Sequence, residues 1–268
     1  MLVQRRHSRP TMRRVTPVQE ILAALAEQHR ELAGLLDPLT NDAWSRPSRC
    51  PGWTVSDVVL HLAQTDELAL ASLTGSFGVA VDQLADGFTG ASSVDAGADA
   101  MVASQRGASS SEVRERWRLS SFALLRTLAE TDPSARVPWV VGDLAARTLA
   151  TTRLAECWIH TGDVLDALGR PIVASDRMRH IVRLAWRTLP YAFAGAGREL
   201  TGPVELLLTG ASGEGWDFVP DEPALTTIMG SALDLCQVAG QRAVAAETSL
   251  SGSGPDVDAV LELIRTFA

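Results

Sequence analysis

Apolar residues recur every three or four positions in "ILAALAEQHRELAGLL", at Ile21, Leu22, Leu25, Leu32, Leu35 and Leu36. That spacing marks one buried face of a helix. The segment opens on Thr16-Pro17-Val18-Gln19. Thr16 reads as the cap, Pro17 as the first helical residue and Gln19 as the reciprocal capping partner, and Pro38 stops the helix. A polar loop with a Pro51-Gly52 turn leads to Thr54, a second cap with Asp57 at its capping-box position, and a second helix from Val55 into the low seventies. Inside it Val58, Val59, Leu60 and Leu62 surround His61, where another leucine would pack at lower cost.

Residues 75–95 are glycine-rich and weakly patterned, and read as a loop or a short helix. A third helix is expected from Ser109–Ser111 through "EVRERWRLSSFALLRTLAE", ended by Asp132-Pro133. "VPWVVGD" reads as an extended link. A fourth helix spans "LATTRLAECWIHTGDVLDAL", closed by Gly169 and Pro171. The pattern then changes. "SDRMRHIVRLAWRTLPYAF" is helical, "PVELLLT", "GWDFVP" and "AETSLSG" are β-like, and "ALTTIMGSALDLCQVAGQR" and "DVDAVLELIRTFA" read as helices between and after them. The expected fold class is α+β. Residues 1–15 would be a basic flexible arm, 16–172 an antiparallel four-helix bundle, and 173–268 a small C-terminal α/β domain.

Composition narrows the function. The chain has 268 residues, 46% of them hydrophobic, enough for one large domain or two modest ones. A net charge of −8 argues against a nucleic-acid binder. No apolar run is long enough to span a membrane, and the N-terminal "MLVQRRHSRPTMRR" has no apolar segment of the kind a secretory signal needs. That stretch reads as a disordered arm, or as sequence upstream of a start at Met12. Cys50, Cys157 and Cys236 are odd in number and unpaired by spacing, as expected of reduced thiols in a cytoplasmic protein. All 24 basic residues other than histidine are arginine, so Schiff-base, Walker-A and lysine-base chemistry are excluded.

One constellation carries chemistry. Glu156 and His160, in "ECWIH", are four residues apart on one helix face, about 6 Å along the axis. Such a pair holds a cation, or is an ordinary surface pair. If the second helix faces the fourth, His61 reaches the same cation and completes a His₂Glu set, which leaves a coordination position open. Asp163, one turn beyond His160, fits either a supporting hydrogen bond to that histidine or plain helix surface. Cys157 lies about 60° around the helix from His160 and reads as core. His7 reads as tail, and His29 and His180 as solvent-facing. "GASGEG" is not a dinucleotide fingerprint, and HExxH is absent.

"PSRCPGWTVSDVVLHL" and "RLAECWIHTGDVLDALG" closely resemble the two signatures of the mycothiol-dependent maleylpyruvate isomerase family, within the DinB-like metal-binding four-helix-bundle superfamily. "TIMGSALDLCQVAGQR" and "LSGSG" are similar to that family's C-terminal domain, so the resemblance covers residues 16–268. It implies His61, Glu156 and His160 as metal ligands. It also implies Arg242 as the arginine that helps hold substrate. The implied activity is that of a cytoplasmic enzyme that activates a low-molecular-weight thiol, mycothiol, at a divalent ion, with zinc the expected metal. The thiol would add to a small electrophilic substrate, with isomerisation or S-transfer as the outcome. The implied partners are that substrate and that thiol, in a monomer or homodimer. The alternatives are a non-catalytic metal-binding stress-response or binding module, and a metal-dependent hydrolase.

Overall fold

The structure is a computed structural model that describes residues 16–88, 93–140 and 142–266. The proposed N-terminal arm lies outside the described residues. The first helix, α1 (Pro17–Leu36), begins on Thr16, whose side chain and that of Gln19 satisfy each other's backbone N–H. After the single turn α2 (Asn41–Trp44), helix α3 (Val55–Leu73) begins on the Thr54–Asp57 capping box. Helix α6 (Ser110–Glu130) begins in the same way on Ser109 and Glu112. Helix α7 (Ala146–Ala167) ends where Gly169 takes a positive φ of 67°, the conformation that favours glycine after a helix.

These four long helices form the bundle. Both α1 and α3 pack against α6 and α7, which places α1 and α3 diagonally. Helices α3 and α7 run antiparallel, because His61 meets Glu156 while Asp66, one turn on, meets Arg153. Helices α1 and α6 also run antiparallel, with Asp37 at the end of one beside Arg114 at the start of the other. Helix α7 is buried on every side from Leu149 to Leu165. It has α1 and α3 on one flank and helix α8 (Met178–Gly195) on another.

Two further helices cover α3: α4 (Phe77–Phe88), in the stretch expected as a loop or short helix, and α5 (Val94–Ser104), which the sequence pattern does not show. The link expected to be extended, residues 137–143, contributes only Val137 to a strand and otherwise connects the two strands of a minimal antiparallel pair, β1 (Arg136–Val137) and β2 (Leu144–Ala145).

Beyond α8, strands β3 (Val204–Thr209), β4 (Gly215–Phe218), β5 (Thr226–Ser231) and β6 (Ser251–Ser253) form one sheet in the order β4-β3-β5-β6. The β3–β5 pair is parallel and the other two are antiparallel. Expected strands "PVELLLT" and "GWDFVP" are β3 and β4. The segment expected as one helix from Ala224 divides instead. Its β-branched Thr226, Thr227 and Ile228 extend as β5, and α9 (Ala232–Ala239) starts only after the Ser231 cap. The last helix is α10 (Val257–Leu263).

Val204, Leu206, Leu208, Trp216, Phe218 and Ile228 point from the sheet into one apolar cluster. That cluster continues through α8, α9 and α10 to Trp158 and Ile159 of α7. Helix α7 therefore carries side chains of the bundle interior on one face and packs against the C-terminal region with the other. No described helix is long and apolar enough to cross a membrane.

Candidate metal centre

His61 of α3 and Glu156 and His160 of α7 converge inside the bundle. His61 Nε2 lies 2.7 Å from Glu156 Oε1, and His160 Nε2 lies 3.9 Å from the same oxygen. One donor atom from each of the three falls within 4.8 Å of the others, and all three side chains are buried. The two imidazoles meet edge to face at 5.0 Å. Trp53, two residues before α3, lies over both rings, 5.0 Å from His61 and stacked at 6.3 Å on His160. Its indole N–H donates to Asp99 Oδ1 of α5 at 2.7 Å, so the α5 helix fixes the lid over the site.

The donor set suits a divalent ion such as Zn²⁺. His160 is hydrogen-bonded through Nδ1 to Asp163 Oδ2 at 2.9 Å, which turns Nε2 and its lone pair inward, the usual arrangement behind a metal-bound histidine. Ligands about 2.0–2.2 Å from zinc in a tetrahedron lie roughly 3.4 Å from one another, so the two distances to Glu156 need adjust by only about 0.5–0.7 Å. His61 Nδ1 has no hydrogen-bond partner, so His61 lacks the support that Asp163 gives His160.

The charges are set by neighbours. Burial pushes the Glu156 carboxyl up, but the Arg153 charge and both histidines hold it well below the usual carboxylate range. Burial holds His61 below the ordinary imidazole value against the pull of Glu156. For His160, burial opposes charge, yet hydrogen bonds with Asp163 and Cys50 bring it up to about 9. The Asp163 carboxylate thus favours the protonated imidazole, and a divalent ion would compete with that proton.

Outside the ligand set lies a polar shell. Arg242 donates from Nε to Asp163 Oδ1 at 2.6 Å and from Nη2 to Asp163 Oδ2 at 2.7 Å. Burial raises the Asp163 carboxyl, but Arg242 and His160 together pull it far down. Cys50 Sγ sits in the same shell, 3.3 Å from Asp163 Oδ2 and 3.5 Å from Arg242 Nη2. Cys50, His160 and Asp163 also converge tightly, but a dication among them would sit against the Arg242 guanidinium, so this second group is not a metal site. Arg242 uses Nη1 for the Gly240 carbonyl at 3.0 Å. Of its five N–H groups, one on Nη1 is left over.

The structure brings the sequence-predicted residues together: His61, Glu156 and His160 converge, Asp163 lies behind His160, and Arg242 behind Asp163. His29 departs from expectation. It is buried against Trp117, with neither ring nitrogen hydrogen-bonded, because α1 turns that position toward α6. Cys157 is buried in the apolar core, as its helical angle predicts. Four residues of the site were not singled out by sequence: Cys50, Trp53, Asp66 and Arg153. Trp53 and Cys50 lie in the loop that caps α3, and a loop gives no periodicity that would aim a side chain.

Residues 25–165 match the family described as the mycothiol maleylpyruvate isomerase N-terminal domain. Two uncharacterized proteins from Mycobacterium tuberculosis, strains CDC 1551 and H37Rv, are each 32% identical over 250 residues, 92% of this chain and 95% of theirs. The crystal structure of the mycothiol-dependent maleylpyruvate isomerase, and that of a histidine-to-alanine mutant of it, superpose with a TM-score of 0.59 at 20% identity. The match covers 89% of this chain and 93% of theirs. At that identity the likeness is one of fold.

Proposed function

Because the chain belongs to the family of the mycothiol maleylpyruvate isomerase N-terminal domain, we propose that it is a metal-dependent enzyme that uses mycothiol to transform a small electrophilic substrate. The observation that carries this reading is the convergence of His61, Glu156 and His160 from two facing helices, with Asp163 fixing His160. In the proposed arrangement the bundle of residues 16–172 holds the metal and residues 173–268 shape the substrate side, in a cytoplasmic monomer or homodimer.

His61, Glu156 and His160 would hold a divalent ion, zinc by the His₂Glu chemistry, which would supply Lewis acidity to lower the pKa of a bound thiol that is otherwise only a few per cent ionised at neutral pH. That gain is little more than tenfold. Most of the acceleration must come from placing the electrophile against the sulfur. The residues of this chain do the placing. Trp53 shields the site from water. Arg242, held by Asp163 and the Gly240 carbonyl, has one N–H left for a substrate oxygen. Addition of thiolate to a carbonyl-conjugated double bond forms a C–S bond, moves the π electron pair into an enolate and leaves a rotatable single bond. Return of that electron pair expels the thiolate and gives the isomer, whereas protonation of the enolate carbon, by the proton the thiol gave up, retains the sulfur as a thioether.

Wild-type protein should contain one divalent ion per chain by elemental analysis, and His61→Ala should contain almost none. Turnover of maleylpyruvate should require added mycothiol. Metal-dependent turnover of an ester or amide with no thiol present would contradict the proposal and favour a hydrolase.

A further inference from the structure

Beneath Glu156, on the side away from His61, lies a charged group that none of this chemistry uses. Arg153 is one turn earlier on α7 and 1% exposed. Its Nε donates to Asp66 Oδ1 at 3.1 Å and its Nη2 to Thr65 Oγ1 at 2.8 Å. Its Nη1 stands 3.6 Å from Glu156 Oε2, the oxygen turned away from the two histidines. Thr65 in turn donates its hydroxyl proton to the backbone carbonyl of His61 at 2.9 Å. One guanidinium therefore touches a proposed metal ligand on α7 and braces the turn of α3 that carries another.

Stability does not explain this arrangement. Removing two charges from water is costly, and a buried ion pair replaced by apolar side chains of similar size is often no less stable. Arg153 Nε lies 3.1 Å from Asp66 Oδ1 with both side chains buried, a cation against a carboxyl, so as an ion pair the two add no net charge beside the site. A lone arginine there would repel a dication. An arginine neutralised by Asp66 keeps its directional N–H groups without that repulsion.

We propose that Arg153 and Asp66 form a positioning pair, in which Arg153 engages Glu156 Oε2 so that Oε1 stays turned toward His61 and His160, and Asp66 cancels its charge. The inference rests on the metal-centre reading above.

The test is the double variant Arg153→Met/Asp66→Asn, which leaves the net charge unchanged. Zn²⁺ affinity is measured by competition with a chromophoric chelator, alongside the visible absorption of the Co²⁺-loaded protein, which reports coordination geometry. Loss of groups that orient metal ligands typically costs 10–100-fold in metal affinity, and that loss is expected here, with an altered Co²⁺ spectrum and a folded protein. Affinity within threefold of wild type, with an unchanged spectrum, would overturn the proposal and make the pair a structural one. If the double variant does not fold, Arg153→Lys decides. Its single ammonium cannot reach Asp66, Thr65 and Glu156 together, so about tenfold weaker binding is expected and unchanged binding overturns the proposal. His61→Ala separates the two readings. If wild type binds Zn²⁺ no better than His61→Ala, the metal centre itself fails and the inference with it. If only the positioning variants keep full affinity, the inference alone fails.

Discussion

His29 and His61 are buried to almost the same degree, 8% and 7% exposed, and do opposite things with it. His61 points at Glu156. His29 has neither nitrogen hydrogen-bonded, and burial, helped by the charge of Arg153, pulls it down to about 3. Its folded-state pKa is below the unfolded value of 6.5. The folded protein thus binds fewer protons between pH 6.5 and about 3, and stability falls as pH drops through that window. The cost is at most about 1–2 kcal/mol between pH 6.5 and 5. Urea unfolding at pH 7 and pH 5 should show His29→Leu losing less stability than wild type. An equal loss in the two proteins would mean that His29 is not buried neutral. At this scale the sequence was legible where a residue broke a pattern. His61 interrupts an apolar run, and Glu156 and His160 share a helical face. Arg153 and Cys50 were not legible, because an arginine three residues before a glutamate, or a single cysteine in a loop, has a commoner ordinary meaning on a protein surface.

Helix α7 joins the two halves of the molecule, because the face that carries the proposed ligands Glu156 and His160 also carries Asp163, which holds Arg242. Gly240, just after α9, closes that contact. A Cβ at Gly240 would lie 2.9 Å from Ile159 Cγ1 and 3.1 Å from Ile159 Cδ1. Gly240→Val should therefore push the end of α9 off α7 and draw Arg242, two residues on, away from Asp163. Overpacking of this kind costs about 1–3 kcal/mol. The variant should melt earlier and lose kcat/KM in thiol-dependent turnover while its Zn²⁺ affinity stays within a few-fold of wild type. Intact turnover at full Zn²⁺ affinity would mean that Arg242 needs no such anchoring. The elements that sequence resolved are those with local signals. The Thr16, Thr54 and Ser109 caps start α1, α3 and α6 as expected. Helix α5 and strand β5 carry weak signals of their own. Helix α5 is settled by packing on α3 and β5 by pairing between β3 and β6, neither of which a local pattern contains.

In the whole molecule, a bundle and a small sheet share one continuous apolar cluster through α7 and α8. The α+β class was visible in the switch from helical period to short alternating runs after Pro203, where β3 buries Val204, Leu206 and Leu208 in turn. What the pattern did not carry was the side-by-side placement of Asp163 and Arg242, 79 residues apart in sequence. Because His61, Glu156 and His160 come together only in the folded bundle, the proposed metal should stabilise the fold. Zn²⁺ at a thousandfold excess over its Kd adds about 4 kcal/mol, on the order of 10 °C in Tm for a chain of this size. A chelator should lower the melting temperature of wild type by that much and leave His61→Ala unchanged.

If His61, Glu156 and His160 hold an ion that takes up a thiol, the thiol should bind only when the ion is present. Calorimetric titration of mycothiol into zinc-loaded and metal-free protein tests it most directly. Saturable one-to-one binding to the loaded protein, with proton release, and none to the metal-free protein, is expected. Equal affinity in both forms, or binding in neither, would contradict it.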